Sequence, residues 1–220
     1  LFNQLLNNFG NQNWWPAETP FEVMVGAILT QQTSWKNVER SIINLKMSSE
    51  LSPSFLKSIS IEKLEQLINS SGFYKTKSKT LKRFVDFIFE SYRGDIEQMK
   101  HVCSYVLRKQ LTSIKGVGKE TADSMMLYAL DKAIFPVDAY TKRIYSRFGI
   151  KSSEDYEELR ILSETALARD GNALSNFKEM HALLVELGKD YCNKKPKCNF
   201  CPINNFCQKK GVQNEQYSHS

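Results

Sequence analysis

The sequence has little proline, no long apolar run, and almost no cysteine outside one short stretch. Six prolines in 220 residues leave room for long, uninterrupted helices. The longest apolar run, Val23-Met24-Val25-Gly26-Ala27-Ile28-Leu29, is far too short to span a bilayer. No charged-then-apolar leader precedes it, so neither membrane contact nor secretion is expected. No alternation of apolar and polar residues is long enough to demand a sheet, and there is no internal repeat, low-complexity tract or flexible linker. Ahead of Cys192 stands a single cysteine, Cys103, which excludes a disulfide scaffold. Cys103 lies at a helix edge and is expected to be a buried apolar residue.

What is present is globular and helical. Hydrophobic residues make up 41% and charged residues 25%, enough for one full core or two modest lobes. The net charge of +6 favours a polyanionic partner, although a basic protein with an ordinary solvated surface has the same balance. Leu81, Phe84, Val85, Ile88 and Phe89 recur at helical spacing, opposite Lys79, Lys82, Arg83 and Asp86. Similar stripes cover 21–29, 61–68, 121–130, 156–167 and 177–187, separated by Pro53, Ser71-Gly72, Arg93-Gly94, Gly149 and Gly171. The polar tail from Gly211 to Ser220 is expected to be loose.

Chemistry concentrates in three segments. In Leu111-Thr-Ser-Ile-Lys-Gly-Val-Gly-Lys-Glu-Thr-Ala-Asp123, Gly116 and Gly118 flank Val117 just before a helix. Glycines there can take positive φ, and the helix start offers N–H donors and a positive dipole end. With Lys115 and Lys119 alongside, this makes a phosphate pocket, where a bare Gly-x-Gly would be only a turn. Further on, Pro136-Val137-Asp138-Ala139-Tyr140-Thr141-Lys142-Arg143 opens another helix, with Asp138 at its N-cap. Finally, Cys192-x5-Cys198-x2-Cys201-x5-Cys207 gathers four soft ligands that suit zinc or an iron–sulfur cluster equally well.

Taken with Leu29-Thr30-Gln31-Gln32-Thr33, and with Ser71-Gly72-Phe73-Tyr74 followed by Lys77-Ser78-Lys79, these segments resemble the helix-hairpin-helix DNA glycosylases of the endonuclease III superfamily. The resemblance runs from about Trp14 to Cys207. It implies an all-α, two-lobed helix-hairpin-helix fold with a C-terminal iron–sulfur cluster loop (192–207). One lobe would comprise 14–131; the other would combine 1–13 with 132–220, with Asp138 near their junction and DNA in the cleft between them. Gly116, Val117 and Gly118, with Lys115 and Lys119, would grip the backbone of double-stranded DNA containing a damaged base, and Asp138 would be the catalytic carboxylate. Gln31 or Gln32 would fill the space left by the extruded base. Cys192, Cys198, Cys201 and Cys207 would hold a [4Fe–4S] cluster that stiffens the basic loop of Lys194, Lys195 and Lys197 for phosphate contact. The first cysteine gap is one residue shorter than in many relatives, so the loop closes differently around the same ligands. A monomer working in a bacterial or archaeal cytoplasm is implied.

Two positions narrow the reaction. Lyase-competent relatives carry a Schiff-base lysine two residues after the second hairpin glycine, where this sequence has Glu120. Lys119 is adjacent, but one step turns a helical side chain by about 100°. Adenine-mismatch relatives carry a proton-donating glutamate where Ala27 stands, and without that proton a neutral adenine leaves poorly. An alkylated, already cationic purine needs none. Trp14-Trp15-Pro16 and Trp35 resemble the 3-methyladenine branch, in which aromatic residues from these two places sandwich the base and a glutamate occupies the position of Glu120. Tryptophan faces add about 0.5–2 kcal/mol for a cation. The expectation is a glycosylase without lyase activity acting on alkylated purines. The alternatives are a glycosylase/lyase acting on oxidised pyrimidines, and a noncatalytic damage-binding module.

Overall fold

A computed structural model describes residues 1–151, 153–169 and 171–212; most of the tail expected to be loose, from 213 on, lies outside the described residues. As the periodicity implies, every regular element among the described residues is helical. In chain order the α-helices are α1 (Phe2–Phe9), α2 (Pro20–Leu29), α3 (Trp35–Ser48), α4 (Pro53–Ser58), α5 (Ile61–Leu67), α6 (Tyr74–Tyr92), α7 (Glu97–Lys100), α8 (Ser104–Ser113), α9 (Lys119–Ala129), α10 (Ala139–Phe148), α11 (Tyr156–Leu167) and α12 (Ala173–Asp190). Among the described residues no helix is long and apolar enough to cross a membrane. Contacts divide the chain into two compact units: Trp15–Pro136, and Leu1–Trp14 joined by Val137–Ser220.

The first unit is built around α2 and α9, which pack on each other, with α6 against α2 and α8 against α9. Thr19 caps α2 by accepting from the Glu22 N–H at 3.1 Å, and Pro20 occupies the first turn, where no N–H is needed. Phe21 to Leu29 are all buried, as are Thr121 to Leu130 in and just beyond α9. These two buried stretches form the centre of the core, with the few polar side chains they carry, such as Asp123, held in internal contacts. Arg108 of α8 locks to Asp123 of α9 through two bonds, Nε–Oδ1 at 2.7 Å and Nη2–Oδ2 at 2.9 Å, and Asp123 is wholly buried. This pair fixes the angle of the two helices that flank the glycine hairpin.

Two lysines in this unit serve as internal clips. Lys77 is 2% exposed and donates from Nζ to the carbonyls of Leu29 at 2.9 Å and Ser71 at 2.6 Å. Burial pushes its pKa down to about 8. Lys82, one turn and a half further along α6, donates to the carbonyls of Leu56, Lys57 and Ile59 at the end of α4.

In the second unit α12 is the spine, with α1, α10 and α11 packed on it. A Cβ at Gly188 would stand 2.2 Å from the Tyr140 ring, so glycine is what allows α10 to lie so close to α12. Arg143 then sits over the Tyr140 ring at 5.0 Å.

Candidate functional site

The glycine hairpin joins α8 to α9 within the first unit. Gly116 has φ +101°, a left-handed turn that an L side chain resists, and a Cβ there would collide with Thr80 Oγ1 at 2.2 Å. Gly118 differs from expectation. Its φ of −86° and ψ of 176° are ordinary extended backbone at the N-cap of α9. No heavy atom lies within 4 Å of where its Cβ would be. Gly118 therefore keeps the helix start open to an incoming group instead of making the turn. Val117 is buried and anchors the hairpin tip, while Lys115, Lys119 and Glu120 are exposed. Exposed lysines beside a helix N-terminus form a surface suited to phosphate.

The Gln-Gln segment divides its work. Gln31 Nε2 donates to the Gly116 carbonyl at 3.0 Å and to Thr121 Oγ1 at 2.9 Å, so Gln31 ties the end of α2 to the hairpin. Gln32 is exposed in left-handed backbone at φ +54°. Phe73 shares that backbone at φ +47° and is 65% exposed, a costly arrangement for an apolar residue. It lies in the quoted Ser-Gly-Phe-Tyr motif, but nothing in its residue type signalled the exposure.

The tryptophans are close but not parallel. Trp15 meets Trp35 edge-on, with centroids 5.5 Å apart and planes at 84°, and also contacts Tyr128 at 5.4 Å. A base stacked between two faces requires one of these rings to turn. Pro16 and Trp35, with Ile42, Ile43 and Met47, line a cavity of about 460 Å³ rimmed by Glu22, Glu39 and Lys46. Trp15 and Glu120 do not line it. Trp14 belongs to the second unit, where its ring approaches His181 at 6.4 Å. Ala27 is buried within α2.

Asp138 is 8% exposed and caps α10, its Oδ1 accepting from the Thr141 N–H at 2.7 Å and the Thr141 hydroxyl at 2.9 Å. Its Oδ2 is 3.7 Å from Nε2 of the buried His181 on α12. Burial alone would raise the pKa of Asp138. His181 and the two Thr141 donors outweigh it and hold the carboxyl below the ordinary carboxylate range. The result is a buried carboxylate that stays ionised. His181 stands 43 residues away in sequence, and no local pattern marks it.

The four late cysteines line one pocket of the second unit with Ile144, Leu187, Ile203 and Arg147. Among the described residues, no three Cys, His, Asp or Glu side chains converge closely enough to hold one metal ion. Arg147 Nη1 approaches Cys192 Sγ at 3.4 Å, and the Lys209 N–H approaches Cys207 Sγ at 3.4 Å. Burial pushes the Cys201 and Cys207 thiols up, and the neighbouring sulfurs add to this. The basic loop is held by α10. Arg143 Nε bonds the Cys192 carbonyl at 2.6 Å, and Arg147 bonds the carbonyls of Asn193 at 2.6 Å and Lys194 at 3.3 Å. Lys194, Lys195 and Lys197 are exposed on it. Sequence reasoning missed both arginines, which sit one turn apart on one helix face. Cys103, expected to be buried, is exposed at the N-cap of α8.

Residues 25–169 match the family model described as HhH-GPD superfamily base excision DNA repair protein. The chain belongs to this superfamily. It is 50% identical over 96% of its length to the "putative DNA repair glycosylase" of Methanocaldococcus jannaschii, covering 95% of that relative. Among solved structures it is similar to the H. pylori 3-methyladenine DNA glycosylase bound to 1,N6-ethenoadenine, with 31% identity, 85% of this chain and 92% of that one covered, and a TM-score of 0.70. A trapped endonuclease III–DNA covalent intermediate shares the fold, with a TM-score of 0.80 at 20% identity and 94% and 92% of the two chains covered.

Proposed function

We propose that this HhH-GPD protein binds duplex DNA containing a damaged base and releases an alkylated purine by hydrolysis, leaving the strand intact. The observation that carries this reading is Asp138, a buried carboxylate kept ionised by His181 and Thr141 at the start of α10. As the bond between C1′ and the base nitrogen breaks, its electron pair leaves with the base and the sugar becomes cationic. A fixed anion stabilises that cation, and it can accept a proton from the water that attacks C1′. Glu120 provides no amine for a Schiff base, and Ala27 no proton for a neutral purine. The likeness to the H. pylori enzyme supports a modified adenine as the base, stacked on Trp35 after a ring of the Trp15–Trp35 pair turns. Lys115 and Lys119, and on the other unit Lys194, Lys195 and Lys197, would take phosphates.

We read the four cysteines as ligands of a [4Fe–4S] cluster, as the likeness to the endonuclease III superfamily implies, with zinc as the alternative. Four thiolates about 2.3 Å from one zinc stand only about 3.8 Å apart. A cluster takes one thiolate per iron around a wider core, and the four cysteines line one shared pocket that such a core would occupy. N–H groups directed at Cys192 and Cys207 suit charged sulfur. When bound, the group would cross-link the loop and take no part in base release. Protein purified from iron-replete cells should absorb broadly in the visible range, and Cys198→Ser should remove most of that absorbance. A colourless protein containing one zinc would overturn the assignment.

The function is tested on duplexes carrying 3-methyladenine, 7-methylguanine, 1,N6-ethenoadenine, thymine glycol and uracil, with free base and strand scission scored separately. Release of methylated or etheno adenine without scission is expected. A second reading, glycosylase with lyase activity, is motivated by the fold shared with the trapped endonuclease III complex. A borohydride-trapped protein–DNA adduct would establish that reading and defeat the first.

A further inference from the structure

One face of α6 holds three separate loops of the first unit. Lys77, Thr80 and Arg83 follow at three-residue spacing, which places them along one side of the helix. Lys77 joins the Leu29 carbonyl, just ahead of Gln31-Gln32, to the Ser71 carbonyl, just ahead of Gly72-Phe73. Thr80 is 2% exposed and fills the space beneath Gly116, and Arg83 Nη1 reaches the Lys115 carbonyl at 3.5 Å. Gln31 completes the ring from the first loop to the Gly116 carbonyl. Each loop presents something outward: Gln32, Phe73, and the hairpin with Lys115 and Lys119. Two of these, Gln32 and Phe73, sit in left-handed backbone, a conformation that persists only where the surroundings impose it.

A lone buried ammonium is an expensive way to join two loops that apolar packing could hold. Its return is directional: two carbonyls are fixed to one point, so the two outward residues keep one separation. An apolar side chain and an amide set at fixed spacing match what a duplex needs when a base leaves its stack, one to unstack a step and one to fill the vacancy. Resting on the DNA-repair reading above, we infer that Lys77 is a positioning residue for base extrusion. It sets Phe73 and Gln32 to enter the duplex together, while Thr80 refers both to the hairpin that holds the phosphates.

The test uses the full chain and a duplex carrying a tetrahydrofuran abasic analogue opposite 2-aminopurine, whose fluorescence rises on unstacking. This readout needs no base release, so it remains informative if no lesion in the panel is cut. Lys77→Met is expected to keep affinity for undamaged duplex within about threefold while losing most of the fluorescence rise. Where a lesion is cut, its rate should fall at least tenfold in a paired duplex and much less in a bubble, where the base is already unstacked. An equal loss on paired and bubble substrates, or undamaged-duplex binding lost in parallel, would reduce Lys77 to a fold-stabilising residue and overturn the inference. If Lys77→Met does not fold, the exposed pair is tested directly. Phe73→Ala and Gln32→Ala should each lower the fluorescence rise, and the double variant should lose less than the product of the two. Independent, multiplicative losses would show that the two residues do not act as a unit.

Discussion

Asp138→Asn is expected to slow base release by on the order of 10³-fold, with little change in fold or in affinity for DNA. The substitution isolates charge from structure. Asparagine caps helices as well as aspartate does, so Oδ1 can still accept the two Thr141 donors and α10 should start where it does now. What disappears is the negative charge, and the new amide turns donors towards His181 where an acceptor stood. A purely capping Asp138 would leave the single-turnover rate within a few-fold of the parent. That outcome would support a noncatalytic damage-binding protein. The pH dependence follows from the same contacts. Because the native carboxyl sits below the ordinary range, its charge survives as pH falls through that range, and so does whatever depends on it. His181→Leu removes the largest influence lowering that pKa, so the acid limb of the rate profile should move upward. An unmoved limb would mean that Thr141 alone sets the ionisation.

Arg108→Ala should destabilise the protein by about 3–5 kcal/mol, the cost of leaving a buried carboxylate without its bidentate partner. Asp123 has no exposed surface on which to find water, whereas the Arg108 side chain is 19% exposed. Asp123→Ala should therefore cost less, because the guanidinium can swing outward. A paired replacement, Arg108→Met with Asp123→Leu, should recover much of the loss. Urea unfolding followed by far-UV circular dichroism reads all three. Equal losses for the two single variants would mean that burial does not govern the pair. Since α8 and α9 flank the hairpin, Arg108→Ala should also weaken binding to undamaged duplex and flatten its salt dependence.

Elements with a local physical signature were legible in the sequence. Helical stripes between breakers foretold the helices, because burial on one face leaves a 3.6-residue trace. The N-cap at Asp138 was readable because capping depends on residues within one turn. Long-range polar contacts leave no such trace. The meeting of His181 with Asp138, of Arg147 with the cysteine loop, and of Lys77 with two carbonyls depends on how distant helices pack. Gly118 misled for a different reason: glycine is compatible both with a left-handed turn and with extended backbone near an open space, and only the φ distinguishes them. Cys103 was assigned by residue type, and the fold left it at a solvent-facing cap.

The α10 helix has a consequence for how this protein fails. Asp138 caps its first turn, and Arg143 and Arg147, further along, grip the loop that the cysteines enclose. A helix of this length is a stiff rod, about 1.5 Å per residue, and transmits rotation from one end to the other. On the proposed reading, oxidative loss of the cluster would therefore loosen the loop's lysines from phosphate and also release the far end of the rod that carries Asp138. Binding and chemistry should decay together as the cluster is oxidatively lost, which makes the loop a point of shared vulnerability and not a detachable accessory.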